Sequence, residues 1–153
     1  MYLIVVIGLT FVLPAASVLI EWLLPGHAGL IFLIGKWFVF WAVGVRLLTA
    51  GVRQMAQPEF TARTIFEIRD PDASKIVSEL GAANVAIGSI GVASLYFEAW
   101  VLPAAVCGFI FYTLVGVRHL RNRQRKPDEN LATYSDLWVA VVLAIYLIGL
   151  VAA

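Results

Sequence analysis

Five long apolar stretches, separated by short polar or turn-forming segments, dominate the chain. A helix crossing about 30 Å of hydrocarbon needs roughly 20 mainly apolar residues, with about 17–25 as the working range. The stretches at 2–24, 30–50, 76–97 and 101–117 fit that range, and 137–152 comes close. No water is available inside a bilayer to bond backbone amides, so each span must satisfy its own by forming a helix. The alternation of a membrane barrel is absent. The predicted fold is therefore all-α: a polytopic transmembrane helical bundle of about five spans, in one domain covering residues 1–153.

The segments between the spans carry recognisable punctuation. Pro25-Gly26-His27-Ala28-Gly29 ends the first span, because its proline and glycines do not readily continue a helix. Before the third span stands Asp70-Pro71-Asp72, in which Asp70 suits an N-cap and Pro71 the first helical position. Glu98-Ala99-Trp100 makes a tight link between the third and fourth spans. Thr133-Tyr134-Ser135-Asp136 has capping-box spacing and extends the fifth helix beyond Leu137. Residues 58–68 are too short to span. Pro58 and Glu59 start a short helix there, with Ala62, Ile65, Phe66 and Ile68 on one side and Arg63 and Glu67 on the other. That helix is predicted to lie along the membrane interface or to pack under the bundle.

Composition strengthens this reading. The chain has 153 residues, 61% hydrophobic and 14% charged, with a mean hydropathy of +0.90. An ordinary soluble domain is about 45–50% apolar and about 25% charged, so no soluble fold of this size could bury so much apolar surface. A net charge of +1 leaves no basic excess with which to bind nucleic acid. The single cysteine, Cys107, lies in an apolar run and is expected simply to pack; it offers neither a disulfide framework nor a cysteine-rich metal cluster. The first stretch lacks a basic start and is long for a signal peptide. It is expected to be a retained helix, despite the small residues Ala15-Ala16-Ser17.

Charge placement gives an orientation. Arg53, Arg63, Arg69 and Lys75 lie between the second and third spans, and Arg118, Arg121, Arg123, Arg125 and Lys126 between the fourth and fifth. The opposite links carry no Lys or Arg. Basic short loops stay in the cytoplasm, which places the N-terminus inside and the C-terminus outside, with Trp22, Tyr96 and Trp100 in an outer aromatic belt. The run from Arg118 to Lys126 is also a candidate contact for anionic lipid, each charge contributing about 1 kcal/mol near such a leaflet.

Ionisable groups inside a membrane are costly and so are candidates for function. Glu21 and Lys36 lie at similar depth near the outer side of the first two spans and are able to pair. Either they reach interfacial water along their stems, with or without contact, or they form an outward-facing polar pocket beside Trp37 and Trp41. In the inner half, Arg46 and Glu79 share a depth, and an interhelical salt bridge between them is expected as a structural clamp. In the third span, Gly81, Asn84, Gly88 and Gly91 fall within an arc of about 80°. That stripe invites close helix contact, with Asn84 either bonded to a neighbouring helix or at the centre of a ligand site. His27 and His119 are placed at opposite faces and cannot share a metal. No HExxH, GxSxG or phosphate-binding glycine loop occurs, and no catalytic, metal or cofactor residues are identified.

The central stretch contains Ala50-Gly51-Val52-Arg53-Gln54, then Pro58-Glu59-Phe60-Thr61-Ala62 with Ile65-Phe66, then Glu79-Leu80-Gly81 with Asn84, Gly88, Gly91 and Ser94-Leu95. Over roughly residues 45–120 it resembles a family of small bacterial inner-membrane proteins grouped only as a domain of unknown function. A more distant likeness is to DoxX-type membrane proteins, which have four spans and a redox motif that has no match here. The resemblance implies a helical fold in a bacterial inner membrane and supplies no activity, cofactor or functional residue. The leading expectation is a non-enzymatic membrane protein that self-associates or serves another membrane protein as a subunit, organised by Asn84 and its glycine seam. A small transporter or channel with a polar path near Asn84 is the alternative, and a membrane enzyme acting on a lipid or quinone is the least supported.

Overall fold

The computed structural model describes residues 2–65, 68, 70–122 and 127–152. Among these residues the secondary structure is helical, with no strand. Five helices are long and apolar enough to cross a bilayer: α1 (Leu3–Trp22), α2 (Leu30–Ala56), α3 (Ala73–Ala93), α4 (Glu98–Arg121) and α5 (Asn130–Ala152). The chain is thus a multi-pass membrane protein built as an all-α bundle. α2 is the most buried span and α1 the least. α2 lies at the centre and touches each of the other four, while α4 and α5 pack along each other. The core forms where Val39 and Val43 of α2 meet Ala105 and Tyr112 of α4 and Val139 and Leu143 of α5.

Several boundaries differ from the sequence reading, each for a local reason. α2 runs past residue 50 to Ala56 and stops at Gln57, whose φ of −137° is non-helical. The ring of Pro58 keeps the preceding residue out of the α region. α3 starts at Ala73, because Asp70 Oδ1 accepts the Asp72 amide at 2.9 Å and closes a turn in place of capping the helix. It ends at Ala93, where Ser94 and its successors turn and the Ser94 hydroxyl donates to the Gly91 carbonyl at 2.7 Å. The capping-box reading is overturned: the fifth helix already begins at Pro127, so Thr133, Ser135 and Asp136 are interior to it and buried. In the loop between α1 and α2, Gly26 takes the positive φ of 77° that a side chain disfavours.

Between α2 and α3, Pro58–Phe60 is helical and continues as a wide turn over Thr61–Ile65. Ala62 is buried against Ala73 and Val77, so this segment packs on the foot of α3. Phe66, Glu67 and Arg69, which belong to the short helix expected over 58–68, lie outside the described residues.

Both α1 and α2 contain a wide, π-type segment, at Gly8–Val12 and Val39–Val45. In α1 the cause is Pro14, which has no amide to give the Thr10 carbonyl four residues back and whose ring presses on it. The Leu13 amide accordingly reaches the Gly8 carbonyl. In α2 the Arg46 amide bonds to the carbonyls of Trp41 and Val43 and skips Ala42. The two widened segments touch each other.

Candidate functional site

The side-chain hydrogen bonds described between side chains of different spans fall at three contacts made by α2. At its end near His27, Ser17 and Glu21 are four residues apart on α1 and so share a face. Lys36 Nζ donates to both Glu21 oxygens, at 2.7 and 2.8 Å, and Trp37 Nε1 donates to Glu21 Oε2 at 2.7 Å. One turn deeper, Trp41 Nε1 donates to Ser17 Oγ at 3.0 Å. The Lys36 ammonium also lies 5.0 Å from the centre of the Trp37 ring, within cation–π range. The pair is partly open, with side chains 23% and 25% exposed. Glu21 and Lys36, which their shared depth makes able to pair with or without contact, are in contact, and Trp37 completes the pair. An open groove of about 350 Å³ also lies between α1 and α2, but its lining is apolar, including Ala15, Leu19, Trp22, Ile34 and Phe38, and the ion pair is not part of it.

The second contact, nearer the other end, differs from expectation. Arg46 does not pair with Glu79. Its Nη2 donates to Asp136 Oδ1 at 2.7 Å and to Ser135 Oγ at 3.0 Å, both on α5. The Arg46 and Asp136 side chains are only 13% and 6% exposed. The Arg46 guanidinium lies 5.1 Å from the centre of the Tyr112 ring, and the Tyr112 hydroxyl donates to the Ala42 carbonyl, the one that the Arg46 amide skips. The widened turn of α2 thus leaves a carbonyl without its helical donor, and α4 supplies one. Glu79 is exposed on the outside of α3 and makes no ion pair or hydrogen bond among the described residues. Depth alone is common to Glu79 and Asp136; the direction in which α2 presents Arg46 decides between them.

At the third contact α2 meets α3. Asn84 is 3% exposed, and its Nδ2 donates to Gln54 Oε1 at 2.8 Å. The interhelical bond expected of Asn84 is present, and Gln54 is the partner that sequence reasoning left unnamed. Gly81, Gly88 and Gly91 are all buried in this seam. A Cβ on Gly91 would stand 2.6 Å from the Gly44 Cα, and one on Gly51 would stand 2.6 Å from the Gly81 carbonyl oxygen. Contacts that short do not occur between real atoms, so the two backbones touch and a methyl group has no room. The matching glycines of α2, Gly44 and Gly51, also escaped the sequence reading. Their separation of seven residues, two helical turns on one face, was the available signal.

The remaining candidates are peripheral. Arg118 and Arg121 are exposed at the end of α4, and Arg123, Arg125 and Lys126 lie outside the described residues. Cys107 is exposed on the outward side of α4 and is not packed as expected. Among the described residues no group of three His, Cys, Asp or Glu side chains is placed to hold a metal ion. Comparison with protein-family models, curated proteins and solved structures finds no match to this chain.

Chemically, the three contacts do one thing in common: each ties α2 to a different helix. A buried ion pair contributes little net stability against a well-packed apolar alternative, because desolvation offsets the Coulomb gain. What it does impose is a strong penalty on any arrangement that leaves one partner alone.

Proposed function

We propose that this chain is a non-enzymatic integral membrane protein that acts as a self-associating or accessory subunit, with α2 as the axis of its bundle. The observation that carries this reading is the closed α2–α3 seam, in which Asn84 bonds to Gln54 and the glycines bring backbone against backbone. A seam of that kind organises a rigid body. The ion pairs add to the same end, since Glu21–Lys36 and Arg46–Asp136 each join two helices. Placement in a bacterial inner membrane, N-terminus in the cytoplasm and C-terminus outside, is part of the proposal. It is supported by the basic residues in the two links that follow α2 and α4. Membrane lipids are then its constant partners, and Arg118 and Arg121 stand where anionic head groups would meet them.

Counting the copies of a fluorescently tagged chain by stepwise photobleaching, in discs cut directly from the membrane, tests this. More than one copy per disc, or a stoichiometric second protein, is the expected result. A lone copy with no companion contradicts it. The alternative, a small transporter with a polar path near Asn84, requires the seam to open to water, and a thiol placed at Asn84 would then react with soluble reagents.

A further inference from the structure

We infer that the second half of α1, Leu13–Trp22, is a hinged strap. It swings away from α2 about Pro14 while the first half of the helix stays in place, and so opens the bundle sideways to lipid. This goes beyond the proposed function and does not depend on self-association.

The two halves of α1 are held in different ways. Val6, Leu9 and Thr10 in the first half are buried, and the Phe11 ring stacks on Trp138 of α5 with centres 5.6 Å apart. The widened segment there also meets the widened segment of α2. Pro14 is the last buried residue of the helix. From Ala15 to Trp22 no side chain is buried, and this stretch packs chiefly against α2. Even that contact is incomplete, because the open groove of about 350 Å³ separates Ala15, Val18, Leu19 and Trp22 from Ile34 and Phe38. Surfaces already parted have lost most of their dispersion attraction, so little close packing opposes a further separation.

A hinge and a latch flank this loose stretch. At one end Pro14 gives no amide to the helix, and the Leu13 amide bonds to the Gly8 carbonyl five residues back. Helices bend at prolines and at π-type turns, and here the two coincide. Toward the other end, the side-chain bonds described between the strap and α2 are those of Ser17 with Trp41 and of Glu21 with Lys36 and Trp37. Glu21 stands one residue before the end of the strap, and its pair with Lys36 is partly open. When the two part, each reaches interfacial water along its stem, and no charge is stranded in a dry interior. The link beyond Trp22 permits the swing: residues 23–29 are all exposed, and a stretch of that length reaches roughly 23 Å when extended. With the strap out, Phe38 and the Trp41 indole lose their cover and this side of α2 meets lipid.

The test measures distances by double electron-electron resonance in the full chain carrying Cys107→Ala, reconstituted in lipid discs. Unlabelled chain is added in excess so that only pairs within one copy are read. Nitroxides are attached through Ile20→Cys or Ile4→Cys, exposed positions on the two halves of α1, each paired with one at Leu114→Cys, exposed on α4. One narrow distance is expected for the Ile4 position and two for the Ile20 position, the longer marking the open strap. Glu21→Ala combined with Lys36→Met should raise the longer population by about two- to fivefold, as the loss of a partly exposed pair does. Pro14→Ala, which restores the missing amide, should remove it. A single narrow distance from Ile20 in every variant would overturn the strap. Parallel broadening at Ile4 and Ile20 would show that α1 moves whole and would overturn the hinge, as would a longer population that persists in Pro14→Ala.

Discussion

α2 meets α3 by backbone contact, and meets α1 and α5 through side-chain packing to which ion pairs are added. Against α3 it lays Gly44 and Gly51 on Gly81 and Gly91, with a single amide pair between Asn84 and Gln54. Against α1 and α5 it adds ion pairs to that packing, and its π-type turn is completed by the Tyr112 hydroxyl from α4. The first kind of contact depends on the absence of side chains, and so tolerates changes in salt but not added volume. The second adds paired polar groups to side-chain packing, in which Gly35 lies against the Tyr146 ring, so it is sensitive to the loss of a partner as well as to volume added there. The difference shows how a small bundle with few polar residues still specifies one arrangement: backbone contact sets the distance of α3, and polar partners select which faces of α1, α4 and α5 turn inward.

The comparison breaks most sharply at the inner ion pair. Asp136→Ala strands the buried Arg46 guanidinium, and a loss of about 3–5 kcal/mol is expected in denaturant unfolding in detergent, whereas Glu79→Ala should change stability by less than about 0.5 kcal/mol. Equal effects would restore the Arg46–Glu79 pairing that the structure replaces. Next in size, Gly88→Val drives a side chain into the backbone at Leu48 and should cost about 1–3 kcal/mol at any salt concentration. Gly29→Ala, with nothing near its Cβ position, is the matched control for added volume. Tyr112→Phe leaves the Ala42 carbonyl without a donor in a dry interior and should cost about 1–3 kcal/mol. The smallest effect belongs to Glu21→Gln, whose partly exposed pair should account for no more than about 1 kcal/mol and should matter less as salt is added. A Glu21→Gln loss as large as that of Asp136→Ala would erase the distinction between the two ends of α2.

Spans, turns and depth were legible in the sequence because they follow from local patterns: runs of apolar residues, Pro25 with Gly26, and the positions of Lys and Arg. Glu21 with Lys36 was legible for a related reason, since a short turn joins their helices and leaves little choice of neighbour. Arg46 was misread because its partner is 90 residues away, and pattern analysis gives how deep a residue sits without saying which way it points. Asp136 reads as part of a capping box because Thr133 has the look of a helix start, whereas the fifth helix already begins at Pro127. The widened turn in α1 had a visible cause in Pro14. The one in α2 has no proline or other local signal and owes its form to tertiary contacts, including the hydroxyl of Tyr112 on α4.

The central claim is that the α2–α3 seam is a closed structural joint, and thiol chemistry at its one amide tests it most directly. With Cys107→Ala as background, Asn84→Cys should resist a charged, membrane-impermeant thiol reagent added to either side of sealed vesicles, and should react only after the protein is denatured. Rapid labelling of the folded chain from either side would mean that water reaches the seam, and would contradict the account.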